Sequence, residues 1–542
     1  MTSGAAGSRR NFLKLASGGA ATAIAAGFLT GHATGQTPVS NENERGGAFN
    51  VRKFGAKGDG VTLDTAAINN AIAAAAAAGG GTVCFPAGTY ASYSIHLKSF
   101  VCLYLEPGAT ILAASTPLEG TTSGGYDAAE PQGAWQPYQD YGHNHWHNSL
   151  IWGEDIHDVA ILGPGFIWGK GLSRGHKDDK DLPATDKPGV GNKAIALKNC
   201  RNVILRDFSM LAAGWFAILA TGVDNLTIDN LKIDTNRDGM DIDCCRNVRV
   251  SNCSVNSPWD DAICPKSSFA LGYPRATENV TISNCYVTGG YQLGTMLDGT
   301  FKRFGPEFAQ HATGRIKCGT ESNGGFKNIT ISNCVFESCR GFALETVDGA
   351  ATEDITFVGI TMRDIRNAPL FLRLGTRMRG PKGVSVGSLK RVLISNVSSY
   401  RALPELCSII SGVPQHYVED IKISDVYFHQ LGGGTEDMAE LQPPERENEY
   451  PEPTMFGTLP ANGFFLRHIK DLEMSNIEVA TEQPDLRPAF WLHDVNGADL
   501  FRVKTPISAP HNFFLNDVRD FRVFASHGVK DINLEHSGEQ KL

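Results

Sequence analysis

Short stretches in which apolar and polar side chains alternate at period two recur along most of the chain. Each copy opens with Asn or Asp and continues apolar, any residue, apolar, then Ser or Asp and often Asn. Instances begin at Asp158, Asn202, Asn225, Asn247, Asn279, Asn328 and Asp354, and later copies start at Arg391, Asp420, Asp471, Asp499 and Asp520. Successive copies lie about 21 to 32 residues apart, with a few larger gaps that hold insertions, a spacing typical of solenoid repeats. The copies are rich in Val, Ile and Thr, so each reads as a short strand. No helical pattern separates consecutive copies, which disfavours a parallel α/β fold. Blades of about 40 residues in a β-propeller fit the spacing poorly. The pattern predicts an all-β chain wound as a right-handed single-stranded parallel β-helix, each coil burying its apolar side against its neighbours.

Local punctuation agrees with this. Ser-Asn steps at Ser251-Asn252, Ser283-Asn284, Ser332-Asn333, Ser395-Asn396 and Ser475-Asn476 suit turns, since Asn tolerates left-handed geometry and its side chain can hydrogen-bond from coil to coil. A solenoid must close its open ends. Asp64 followed by Thr65 to Ala78, with Ile68 and Ile72 four apart and Gly79-Gly80-Gly81 beyond, predicts an N-capped helix covering the first coil. Three stretches break the rhythm as long loop insertions, 114–150, 171–192 and 431–462. The first is rich in aromatic and His residues, including Trp135, His143, His145, Trp146 and His147.

The first 35 or so residues read as an address: Arg9-Arg10 ahead of a weakly apolar stretch from Leu15 to Leu29, then small residues around Ala33-Thr34-Gly35. The expected organisation is a twin-arginine export signal at 1–35, a linker at 36–48 and a β-helix catalytic domain at 49–542, with the mature protein periplasmic or secreted. No later run of about 18 apolar residues suggests a membrane span. A formal net charge of −9 gives no reason to expect nucleic acid or an anionic membrane as partner, yet leaves room for an acidic substrate at a local basic patch. Twelve cysteines in an exported chain suggest disulfides. However, Cys200, Cys253, Cys285 and Cys334 each follow an Asn at one station of the repeat, which predicts stacked, buried thiols. Cys244-Cys245 and Cys334/Cys339 remain free to pair with partners the spacing does not name. No Cys/His spacing reads as a zinc site.

Chemistry concentrates in two segments one coil apart, Asn236-Arg237-Asp238-Gly239-Met240-Asp241 and Trp259-Asp260-Asp261. Adjacent coils stack about 4.8 Å apart, so Asp238 and Asp261 can share one face. Carboxylates at that range cannot all ionise freely. The cluster thereby offers what glycoside hydrolysis needs: a protonated carboxyl for the leaving oxygen and an ionised one to activate water. Further on, Arg315-Ile316-Lys317 places two cations on one side of a strand, either to complement a sugar carboxylate or to balance the aspartates. Arg373, Arg377 and Arg379 extend a basic patch, while Glu345 and Asp348 offer acceptors to sugar hydroxyls.

These motifs resemble the polygalacturonase family, glycoside hydrolase family 28, over most of the mature length. The segment Val51 to Gly60 resembles the opening of many such β-helix enzymes. Asn236-Arg237-Asp238 resembles the family's Asn-Thr-Asp motif, Asp260-Asp261 its Asp-Asp motif and Arg315-Ile316-Lys317 its Arg-Ile-Lys motif, in the same order. The resemblance implies an inverting hydrolase that needs no metal or cofactor, with Asp260 as general acid, Asp238 and Asp261 activating water, and Arg315 and Lys317 binding substrate. One departure stands out: the family's Gly-His-Gly is replaced by Gly289-Gly290-Tyr291-Gln292-Leu293-Gly294, with no His.

The expected activity is hydrolysis of an α-linked bond in a uronic-acid-containing pectic glycan, a galacturonan or rhamnogalacturonan fragment. The expected mode is exo, with long aromatic loops walling the groove and Trp135 or Trp146 stacking on sugar. Substrate-binding candidates are Arg315, Lys317, Tyr291, Asp241, Glu345 and Arg373, and the mature protein is expected to be a monomer. The alternatives are a Ca²⁺-dependent polysaccharide lyase using the acid cluster as a metal site and a non-catalytic carbohydrate-binding β-helix. His143, His145 and His147 alternate and offer a metal site only if all three converge.

Overall fold

The computed structural model describes residues 47–542, apart from 117–124, 175–183, 310 and 404. The expected export signal and most of the linker lie outside the described residues. The compact unit Gly47–Leu542 winds as a right-handed parallel β-helix. Each coil contributes up to three strands. In one coil these are Phe216–Thr221, Asp224–Asp229 and Lys232–Asp234; in the next they are Asp238–Asp243, Arg246–Ser251 and Ser254–Asn256. Each of these strands pairs in parallel with its counterpart one coil away, producing three sheets that run along the solenoid.

Alternation at period two is what fills the interior. In the first sheet Ile95, Ile151, Ile195, Ile218, Met240, Ile263 and Ile316 stack in line from coil to coil, and all are buried. In the second sheet Val203, Leu226, Val248, Val280, Ile329, Ile355 and Val392 form a parallel column. Both columns belong to one continuous apolar core. A one-residue slip would turn either column outward, so burial fixes the register.

The turns ahead of the second sheet carry an amide ladder. Asn202, Asn225, Asn247, Asn279 and Asn328 all have φ between 52° and 58°. Each donates from Nδ2 to the residue one coil before it: Asn202 to Asp158, then Asn225, Asn247, Asn279 and Asn328 each to the Asn preceding it. The Ser-Asn turns are left-handed as expected, from Asn252 to Asn476. One repeat copy sits elsewhere than expected. Leu472 pairs with Ala498, so the station of Asp471 is taken by Gly497 at φ 82°, and Asp499 lies two residues beyond that station, opposite Glu473. Glycine supplies the left-handed turn without an Asn or Asp, so the motif skipped to the next acid.

The end caps differ from each other. Thr65–Ala77 is the helix expected over the first coil, with Ile68 and Ile72 buried. Asp64 occupies its N-cap position, but its carboxylate accepts from the backbone N–H of Lys57 (2.7 Å) and Gly58 (2.9 Å) instead of from the helix. At the other end Ile532–Ser537 and Gln540–Lys541 pair antiparallel with Phe513–Phe524 and close the last edge. All twelve cysteines are free thiols, and Cys200, Cys253, Cys285 and Cys334 are buried at their expected stations.

The ladder generates a prediction. Asn225→Ala places a Cβ-bearing residue without side-chain bonds in a left-handed turn and should cost about 1–2 kcal/mol. Asn225→Gly, which accepts that φ, should cost less. Urea unfolding of both variants checks the order, and equal losses would place the ladder's contribution in hydrogen bonds alone.

Candidate active site

The cluster forms where the chain turns from the third sheet into the first. Asp238 is the first residue of its strand, and Asp260 and Asp261 lie in the equivalent turn of the next coil. Backbone pairing holds the two turns together, with Gly239 N–H donating to the Asp261 carbonyl (2.9 Å) and Met240 N–H to that of Ala262 (3.0 Å). A Cβ on Gly239 would stand 2.3 Å from the Ala262 carbonyl oxygen, so only glycine allows this approach. One carboxylate oxygen from each of Asp238, Asp260 and Asp261 lies within 4.8 Å of the others. The three expected catalytic residues therefore meet at one patch.

Their surroundings separate them electrostatically. Asp238 is almost fully buried, and burial, reinforced by Asp260 and Asp241, pushes its carboxyl well above the usual range. Burial pushes Asp260 up too, but the guanidinium of Arg237 prevails and brings it below its ordinary value. Arg237 donates to Asp260 Oδ2 from Nε (3.1 Å) and Nη2 (2.6 Å) and lies over the Trp215 ring. Asp261 is lowered further still, because Lys317 (2.5 Å) and Arg315 (2.9 Å) outweigh its burial. Of the three, Asp238 is the carboxyl pushed towards its protonated form, beside two neighbours pushed towards ionisation. Three positive side chains, Arg237, Arg315 and Lys317, already lie against the acid cluster, and a dication there would meet their repulsion.

The remaining expected residues divide. Asp241, three residues along the strand from Asp238, is buried and accepts from His143 (3.1 Å), with Lys266 at 3.8 Å. Glu345 is buried near Arg315 Nη2 (4.0 Å), and neither of its oxygens has a hydrogen-bond partner. Burial raises it to about 7. Tyr291 and Arg373 are engaged away from the cluster. The Tyr291 hydroxyl donates to Glu337 (2.9 Å) beneath Arg303. Arg373 donates to Ser411 and to the carbonyls of Gly412, Glu445 and Arg446, so it anchors the loop 431–462. The expected basic patch is likewise spent internally, with Arg377 on Asp348 and Arg379 on the Tyr138 carbonyl.

Loop residues complete the picture, and the chain's local pattern did not reveal their placement. Glu452 reaches in from the loop 431–462, accepts from Arg315 Nη2 (3.0 Å) and Arg340 Nη1 (2.9 Å), and also from Asn367. Trp259, beside Asp260, is 41% exposed and braced edge-on by Phe304 and Phe308. Its position next to the Asp pair was the available signal. Trp146, by contrast, is buried, donates to Thr221 and is covered by Lys198, so it packs its loop. The three histidines do not converge: His143 binds Asp241, His145 the Tyr141 carbonyl, and His147 Glu154. His143 is also the imidazole that reaches the acid cluster's neighbour in a chain lacking the Gly-His-Gly histidine.

Comparison with known proteins agrees with this architecture. Residues 48–144 match the model of rhamnogalacturonase A/epimerase, pectate lyase-like proteins, and residues 193–373 that of the right-handed β-helix region. An exopolygalacturonase of Arabidopsis thaliana is 22% identical over 407 residues, covering 71% of this chain and 80% of its own. The exopolygalacturonase of Thermotoga maritima superposes with a TM-score of 0.55 at 17% identity, over 91% of this chain and 95% of its own. The family 28 exopolygalacturonase of Yersinia enterocolitica gives 0.55 at 18% identity, over 87% and 78%. With the motifs met in the same order on the same winding, the chain is a right-handed parallel β-helix protein similar to the polygalacturonases of glycoside hydrolase family 28.

Proposed function

We propose that this protein hydrolyses an α-linked glycosidic bond in a uronic-acid-containing pectic glycan, acting from a chain end. The observation that carries the reading is the aspartate trio, three carboxyls within 4.8 Å of one another, of which burial raises Asp238 while cations lower Asp260 and Asp261. That division of states is what acid–base cleavage requires. Polygalacturonase relatives support the pectic substrate. The anchored loop 431–462 and the loop 125–150, which touch the site through Glu452 and His143, support a groove closed towards exo action.

The three carboxyls act as a unit holding one proton. Asp238 keeps it in the free site while Arg237 holds Asp260 ionised. Asp260 is the most exposed of the three, so it faces an incoming leaving oxygen. It serves as the general acid once substrate draws Arg237 aside and the proton passes from Asp238. Asp238 and Asp261 then take up the proton of the attacking water. Inversion follows the family resemblance, whereas a gap this short lies nearer the ~5–5.5 Å of retaining pairs than the ~6.5–9.5 Å of inverting ones. The anomer first released is therefore the decisive measurement. We also propose export by the twin-arginine route, on the strength of Arg9-Arg10 and the weakly apolar stretch that follows.

Four expected outcomes test these proposals. Replacing Asp238, Asp260 or Asp261 with Asn should each lower kcat by about 10³-fold or more; full activity in any one variant removes that residue from the mechanism. The Asp238 carboxyl is raised on folding, so its contribution to stability is complete below its unfolded pKa and lost as pH rises through the folded value. Asp238→Asn should therefore have a Tm equal to or above the wild type at neutral pH, and wild-type kcat/KM should fall as pH rises through that same elevated value. NMR of the digest should show the β-anomer forming first and short products from the outset; an early ladder of oligomers would rule out exo action. Replacing Arg9 and Arg10 with Lys should leave the chain in the cytoplasm, as read by cell fractionation.

A further inference from the structure

The Arg315 guanidinium is the group best shaped to receive a sugar carboxylate, since its planar fork matches two carboxylate oxygens. It is already filled. Nε binds Asp261 at 2.9 Å, and Nη1 and Nη2 bind the two oxygens of Glu452 at 3.4 and 3.0 Å. Glu452 is fixed there by Arg340 and Asn367, and the short helix that follows it, Pro453–Phe456, is pinned by buried Phe456 against Phe465. Glu452 therefore belongs to an anchored wall of the site.

A second observation points the same way. Around Arg315 there is a surplus of acceptors and no shortage of negative charge. Both oxygens of Glu345, fully buried with Arg315 Nη2 at 4.0 Å, accept no hydrogen bond among the described residues. Buried acceptors without donors are costly. A further carboxylate brought up to Arg315 would add repulsion to Glu345 and Glu452 and bring no donor.

We infer that Glu452 is a built-in stand-in for a substrate carboxylate, so that the sugar met at the Arg315 end of the site is a neutral one. This rests on the glycan-cleaving reading and narrows it. The bond cleaved has a neutral sugar on the Arg315 side, within a glycan whose uronate units lie at other positions. A site that already holds its own carboxylate discriminates through like-charged groups rather than through shape alone.

D-galactose and D-galacturonate differ at C6, where a hydroxymethyl group replaces the carboxylate, and their binding to the full chain can be read by ligand-observed NMR without turnover. The wild type should bind galactose more tightly than galacturonate. Glu452→Ala, which frees the Arg315 fork, should shift the ratio at least tenfold towards galacturonate, and added acetate should reverse that shift. Glu452→Gln, which keeps the shape and removes the charge, should move the ratio in the same direction and serves if the alanine variant does not fold. A wild type that prefers galacturonate or binds neither sugar, or a ratio that neither variant moves, overturns the inference. Absence of glycan hydrolysis by the wild type would instead defeat the reading of function, and the binding ratio would still decide the role of Glu452.

Discussion

Parallel hydrogen bonding between successive coils at fixed register is the constraint on which everything else in this molecule rests. It places residue after residue of one station directly above the last, at the ~4.8 Å spacing of a sheet. For apolar stations the result is a core, as in the column from Ile95 to Ile316. For polar turn stations it is the amide ladder through Asn202, Asn225 and Asn247. For acidic turn stations it is a reactive patch, because Gly239 bonds the Asp261 carbonyl and thereby sets Asp238 against the Asp pair of the following coil. The same geometry that lowers free energy in the interior raises it at the site, where like charges are stacked.

That local cost is met by cations, and their arrangement decides which carboxyl keeps a proton. Asp261 is flanked by Lys317 and Arg315, and Asp260 is held by Arg237. Asp238 is nearest to Arg237 at 3.9 Å, a distance at which no hydrogen bond forms. Burial then acts on the least compensated member of the trio. Replacing a buried carboxyl of this kind commonly stabilises a protein while removing its chemistry, the trade expected where function is built from strained electrostatics.

Much of this was legible in the chain. Period-two alternation and the recurring Asn gave the winding, the turns and the buried cysteine stations, because those features depend on residues close in sequence or one repeat apart. The trio was legible for the same reason: Asp238 and Asp261 are separated by one coil. Where a copy lacked Asn or Asp, as at Gly497, the motif was misplaced, since glycine satisfies the same backbone demand by a different means. Arg373 and Tyr291 read as substrate-binding in the sequence, but no repeat rule says what such side chains will touch: Tyr291 donates to Glu337 beneath Arg303, and Arg373 to Ser411 and to carbonyls of the loop 431–462. The closing antiparallel strands at Ile532–Lys541 carried no signal beyond position.

The division between coil and insertion also explains how one scaffold separates chemistry from selectivity. Stations of the solenoid supply Asp238, Asp260, Asp261, Arg315 and Lys317, whose mutual positions are dictated by register and cannot drift independently. Insertions supply His143, Trp259's bracing phenylalanines and Glu452, which reach the same patch from 98 to 137 residues away along the chain where hydrogen bonds record the contact. Such segments can change length and composition without disturbing a single ladder bond. A carboxylate delivered by an insertion can therefore retune what Arg315 accepts while leaving the acid–base trio intact. On the proposed function, the cleavage chemistry is a property of the winding, and the choice of sugar is a property of what the loops bring to it.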